Sequence, residues 1–265
     1  MKLGISTWCL LKSDVYTAVR TIAEKGYDFV ELWGDVPHAY HETVDKGRLK
    51  DVVSSYGITT TLHAPFAELN PAMPFQPVKA AVERTLIEFV GFGRFLGSRR
   101  ITVHPGSVHS EALIPESIDS SVSTLRKLVG EAGDGIEINV ENQAASRSPY
   151  LYPLGCDAKS IDTLLSRAPG LGLTLDVGHA HANGIDPQEL YSRFRHVVTE
   201  VHLDDNNGSS DDHLPPGQGT ARIGPLTREL GRSDVFVCLE LNPHRLSPDQ
   251  VMAAGDLARR ELGPR

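Results

Sequence analysis

Acids and imidazoles recur along this chain at one kind of position. The apolar run Leu171, Leu173, Leu175 reads as a buried strand that stops at Asp176, with His179 three residues later in the turn that leaves it. A carboxylate and an imidazole at the mouth of a strand are what a divalent cation needs. Alone, such a pair is as easily a cap or a turn. The same event, however, ends five other apolar runs: at His63 (Leu62-His63-Ala64-Pro65), His104, Glu141, His202 and Glu240. A long segment after His202 adds Asp211-Asp212-His213. Charged side chains are rarely gathered in an interior unless paired or metal-bound, so the set reads as a metal site.

Imidazole and carboxylate without thiolate suit zinc, manganese, iron or cobalt better than calcium or a closed structural zinc. His63, His104, Glu141, Asp176, His179, His202, Asp211, His213 and Glu240 exceed one ion's needs, which leaves one to three divalent ions open, zinc first, with manganese, cobalt or magnesium as alternatives. A cluster of ions could generate hydroxide and clamp a phosphoryl group. A single ion on Glu141, Asp176, His202 and Glu240 would instead leave Glu141 and Glu240 flanking a substrate. That suits proton abstraction beside a carbonyl, with one carboxylate as base and the other as acid.

The elements that must position these residues alternate strictly. Strands are expected at 2–6, 29–32, 58–62, 101–103, 136–140, 172–175, 197–201 and 235–239. Helices are expected at 15–25, 44–56, 77–96, 115–131, 158–167, 187–194, 225–230 and 248–262, with Gly26, Gly57 and Gly97 as stops. Eight βα units predict a parallel sheet, and eight strands close a barrel. No linker or low-complexity segment divides the 265 residues, so one (β/α)8 domain over 1–265 is expected, with the metal site at the C-terminal strand ends.

Composition bounds the partners. The fractions of 40 % hydrophobic and 23 % charged residues are those of a globular protein with a large core. A net charge of −8 disfavours nucleic acid, and the nearest basic group, Arg94 with Arg99-Arg100, falls at the opposite end of the strands. Cys9, Cys156 and Cys238 have no metal-site spacing and read as reduced thiols. With no leader pattern and no span-length apolar run, cytoplasmic localisation without membrane contact is expected.

Taken together, the chain resembles the xylose isomerase-like TIM-barrel superfamily, which contains endonuclease IV and sugar-phosphate isomerases and epimerases. The resemblance is carried by His63-Ala64-Pro65 with Asn70, His104-Pro105-Gly106, Glu141-Asn142, Asp176-Val177-Gly178-His179, His202-Leu203-Asp204-Asp205, Asp211 through Gly219, and Glu240. Likeness to endonuclease IV implies three zinc ions on all nine residues, with Asp211 rather than Asp212 chosen by the Asp-x-His spacing. Likeness to the single-metal epimerases implies only Glu141, Asp176, His202 and Glu240. The chain departs from endonuclease IV at Val177-Gly178 and in the loops that grip DNA. It therefore reads first as a metal-dependent isomerase or epimerase of a sugar or sugar phosphate. The alternative is an endonuclease IV-like phosphodiesterase.

Trp8, His181 and Arg222 are expected substrate contacts, Arg222 through a phosphate or hydroxyl. Trp33, His109 and His244 are possible pocket residues. Glu31 is expected to pair locally, and His38, His41 and His196 to be surface or structural.

Overall fold

The computed structural model describes residues 1–146 and 148–263; residues 147, 264 and 265 of the expected domain lie outside the described residues. Among the described residues ten strands occur in chain order: β1 (Lys2–Ser6), β2 (Phe29–Trp33), β3 (Thr59–His63), β4 (Arg100–Val103), β5 (Ser107–Val108), β6 (Glu137–Glu141), β7 (Tyr152–Pro153), β8 (Gly172–Asp176), β9 (Val198–Leu203) and β10 (Phe236–Leu239). Eight of them close a parallel barrel in the order β1-β2-β3-β4-β6-β8-β9-β10. β5 and β7 form a separate antiparallel pair at the rim.

The helices are α1 (Val15–Glu24), α2 (Lys46–Tyr56), α3 (Val78–Leu96), α4 (Ile114–Ala132), α5 (Ala158–Arg167), α6 (Val177–Ala182), α7 (Pro187–Phe194), α8 (Ile223–Leu230) and α9 (Pro248–Glu261). Five of the starts are set by side chains: Asp14, Asp45, Asp157, Asp186 and Ser247 each accept a backbone N–H of the first turn. Gly57 and Gly97 stop α2 and α3 in the left-handed region, as their positions in the sequence predict.

One expectation is corrected here. The residues after Asp176 are not a turn but the helix α6, because the Asp176 carboxylate caps it by accepting the N–H of His179. Six residues are too few to give a helical period in the sequence.

A strand's period of two sorts every barrel side chain. Outward-facing Val30, Leu32, Leu62, Ile101, Val103, Ile138, Val140, Leu173, Leu175, Val201, Val237 and Leu239 are buried in the large core shared with the helices. Inward-facing residues stack in layers. At the floor, Phe29 and Phe236 meet at 4.8 Å between ring centroids. A Cβ at Gly4 would lie 2.6 Å from the Phe29 ring, so only glycine fits there. The middle layer is polar, linked across the barrel by Thr61 to Glu200 (3.1 Å) and Thr102 to Thr174 (2.8 Å). Above it lie His63, Glu141, Asp176 and His202, all at most 1 % exposed.

Candidate metal centre and active site

Glu141, the last residue of β6, is the hub of the upper layer. Its Oε2 lies 3.2 Å from His63 Nε2 and 3.0 Å from His104 Nε2, and its Oε1 lies 3.2 Å from His202 Nδ1 and 3.5 Å from His179 Nδ1. Burial works to raise the Glu141 pKa, but His104 and His202 outweigh it and hold the carboxylate well below its usual range. Burial likewise opposes charging His63, yet its hydrogen bond to Glu141 prevails and lifts it to about 9. The Nδ1–H of His63 donates to the Ala64 carbonyl at 2.9 Å, which leaves Nε2 turned to the hub.

His202 Nδ1 is surrounded by carboxylates: Glu240 Oε2 at 3.0 Å, Glu141 Oε1 at 3.2 Å and Asp176 Oδ2 at 3.9 Å. One ring nitrogen carries at most one proton, so it cannot satisfy three acceptors. Asp176 Oδ2 is in fact buried without a hydrogen-bond partner, and burial followed by the Asp204 charge pushes the Asp176 pKa well up. An orphaned oxygen in a ring of four donors is the arrangement a divalent cation completes, and the oxygen and nitrogen donor set fits a borderline metal. Glu141, Asp176, His202 and Glu240 could hold it.

Asn142 fixes the backbone beneath this group. Its amide accepts the Asp176 N–H at 2.8 Å and donates to the Asp176 carbonyl at 2.9 Å, binding the end of β6 to that of β8. The opposite nitrogen of His202, Nε2, lies 3.0 Å from Glu31 Oε2, with both side chains fully buried. This corrects the expectation of local pairing for Glu31, since the link crosses the barrel from β2 to β9. Burial, then the Glu31 charge, pushes the neighbouring Glu200 up to about 8.

A second cluster lies toward the mouth. Asp211 Oδ2 is 3.2 Å from both His179 Nε2 and His213 Nε2. His213 has a φ of 47°, a strained position for a non-glycine residue. It is held there by Asp204 Oδ2 at 2.8 Å and the Glu240 carbonyl at 3.0 Å from Nδ1. Asp212, by contrast, pairs with Arg245 at 2.8 Å. The nine sequence-derived ligands thus come together as three neighbouring groups, His63–His104–Glu141, Glu141–Asp176–His202–Glu240 and His179–Asp211–His213.

A cavity of about 600 Å³ opens over these groups, lined by His63, His104, Glu141, His179, Asp211, His213 and Glu240 and walled by Trp8, Trp33 and Phe66. Phe66 stacks on the His104 ring at 4.2 Å, and Trp8 meets His213 edge-on at 4.9 Å. Among the described residues no Lys or Arg lines it. Arg222 is exposed at the start of α8 and does not line the cavity. Neither does His181, whose Nε2 lies 2.9 Å from Thr220 Oγ1, nor His244, which is exposed. His109 lines the cavity. His38 and His41 are buried, not surface residues, and His196 is exposed. Arg99 and Arg100 lie at the opposite end, beside Lys2 and Phe236.

Residues 19–261 match the family of xylose isomerase-like TIM barrels. The chain belongs to that family. An uncharacterized protein of Methanocaldococcus jannaschii is 30 % identical over 238 residues, covering 87 % of this chain and 79 % of the relative. The fructoselysine 3-epimerase of Shigella flexneri is 21 % identical over 271 residues, covering 95 % and 96 %. Among solved structures, a D-tagatose 3-epimerase-like protein superposes with a TM-score of 0.85 at 25 % identity, covering 99 % of this chain and 97 % of that one. No helix among the described residues is long and apolar enough to cross a membrane.

Proposed function

We propose that this protein is a divalent-metal-dependent epimerase or isomerase of a small sugar, with Glu141 and Glu240 moving the proton. The observation that carries this reading is the convergence of Glu141, Glu240 and Asp176 on His202 Nδ1, at the floor of a cavity that both glutamates line. A divalent ion bound there would polarise the carbonyl and hydroxyl oxygens of a bound sugar. One glutamate, ionised, takes the proton from the carbon beside the carbonyl, and the other, protonated when the step begins, gives its proton to the opposite face, so that the two exchange protonation states over a turnover. Trp8, Trp33 and Phe66 offer flat apolar surfaces to a sugar ring. The similarity to a fructoselysine 3-epimerase and a D-tagatose 3-epimerase-like protein supports the same chemistry.

The test is a panel of ketohexoses, keto sugars, fructosyl amines and sugar phosphates, incubated in D₂O with manganese, cobalt, zinc or magnesium. Epimer formation with deuterium at the inverted carbon is expected. A full panel recovered without inversion or deuterium would sink the reading.

A second reading rests on the two further groups, His63–His104–Glu141 and His179–Asp211–His213. Filled with zinc alongside the central group, they would suit phosphoester hydrolysis of the endonuclease IV kind. A cavity with no Lys or Arg among its described lining residues favours a neutral substrate over a polyanion. Cleavage of an abasic-site duplex, together with two or three zinc ions per chain by elemental mass spectrometry, would reverse that order.

A further inference from the structure

We infer that Glu31 is a positioning residue: by accepting the Nε2–H of His202 it holds the imidazole with Nδ1 facing Glu141, Asp176 and Glu240, and cation binding by that group depends on it. The inference rests on the proposed reading that these four residues hold a divalent ion.

The geometry supports it from three sides. Glu31 and His202 are both fully buried and meet at 3.0 Å, although they stand on β2 and β9, on different sides of the barrel. Among the described residues, His202 is the one ion-pair partner of Glu31. A ring turned by half a rotation would strand Nε2 away from its acceptor and offer carbon where Nδ1 now points. A hydrogen bond at the remote nitrogen is the means by which proteins fix the rotamer and tautomer of a ligand histidine and raise its basicity.

Stability alone does not account for such a residue. A buried ion pair is commonly no better for folding than an apolar pair of the same volume, because both charges must be stripped of water. Glu31 also sits in costly surroundings. The Cys238 thiol offers Glu31 Oε1 only a long, weak S–H hydrogen bond at 3.8 Å, and the Glu200 carboxyl occupies the same layer with one oxygen buried and unpartnered. Aliphatic side chains would fill that layer more cheaply. What an aliphatic side chain cannot do at this place is accept the Nε2–H of His202.

The experiment measures cation affinity on metal-free protein by competition against a chelating dye, with manganese, cobalt and zinc as probes. The variants are Glu31→Gln, Glu31→Ala and Thr61→Val. The Thr61→Val variant removes a hydrogen bond from the same layer, that to Glu200, without touching His202. Glu31→Ala is expected to weaken binding about 10- to 100-fold, Glu31→Gln less because its amide oxygen still accepts from Nε2–H, and Thr61→Val not at all. In the cobalt-loaded protein the visible absorption bands should shift in Glu31→Ala and stay in place in Thr61→Val. If Glu31→Ala does not fold, the near-isosteric Glu31→Met, which likewise has no oxygen to accept from Nε2–H, carries the comparison. Parent-like affinity in the glutamate variants, or an equal loss in Thr61→Val, overturns the inference and leaves the metal site standing. A parent protein that binds no divalent cation removes both.

Discussion

The same two neighbouring strands carry an acid and a base at each end, and the two ends treat them differently. At the foot of β4 and β6, Arg100 faces Glu137 in register and the pair closes on itself. Glu137 is 52 % exposed, so water shares the task of neutralising it. At the top, one step beyond the strand register, His104 meets Glu141, but Glu141 is 1 % exposed and three further imidazoles crowd it. One carboxylate at the foot has one partner. The carboxylate at the top has four, while Asp176 Oδ2 nearby makes no hydrogen bond. A fold needs only the first arrangement. The second crowds four imidazoles around one carboxylate and leaves a neighbouring oxygen without a hydrogen bond, and the site proposed at the upper end rests on that mismatch.

The comparison can be broken most sharply by paired substitutions. Glu141→Gln and Glu240→Gln are each expected to lower kcat on the best substrate of the panel by about 10²- to 10⁴-fold. Glu137→Gln, at the foot of the same strand as Glu141, should leave kcat unchanged. Equal losses at both ends would erase the distinction.

Next in size is a pH effect from the layer between the ends. Glu200 is raised from an ordinary 4.5 to about 8, first by burial and then by Glu31. A raised folded-state pKa means the native protein holds more protons than the unfolded chain between those values. Stability from this group is fully present below the unfolded pKa and is lost as pH rises through the folded one. Denaturant unfolding between pH 5 and 8 should therefore show a decline of up to about 1.4 kcal/mol per pH unit from this group, and a flatter profile in Glu200→Gln.

Metal removal should matter less to the fold than to catalysis. Adding metal at about 100 times its Kd should raise stability by about 2.7 kcal/mol over the stripped protein, read as a shift in Tm, while activity returns from background. The smallest effect is reserved for the foot. Arg100→Gln should cost under about 1 kcal/mol in denaturant unfolding and leave metal affinity intact, because its carboxylate partner is half in water.

Much of this was legible before any coordinate was known. The eight strands and their order follow from short apolar runs punctuated by glycine and by capping side chains, and six of the nine candidate ligands stand at the ends of those runs, with His179, Asp211 and His213 in the segments that follow. What the chain does not announce is how rings aim across a closed barrel. Glu31 reaches a partner 171 residues away, a link no local pattern encodes. A signal for its layer did exist: counting back two residues from His63, Glu141, Asp176, His202 and Glu240 gives Thr61, Asn139, Thr174, Glu200 and Cys238. The same count back from Trp33 gives Glu31. Arg222 illustrates the opposite failing. Its place after a glycine-rich loop invited a phosphate, but the loop folds back around Asp205, which accepts the N–H groups of Gly217, Gly219 and Ala221, and Arg222 is left outside.

The small antiparallel pair at the rim has its own consequence. β5 belongs to the segment after β4 and β7 to the segment after β6, and they pair through Ser107 with Pro153 and Val108 with Tyr152. Asn70, from the segment after β3, bonds both the N–H and the carbonyl of Ser107, and a side chain at Gly106 would collide with it at 2.3 Å. Three of the barrel's connecting segments are therefore stitched into one wall. Anyone seeking to retune what this pocket accepts cannot exchange those segments one at a time, as interchangeable parts. They must be transplanted together, and any natural drift in one sets the terms on which the other two can change.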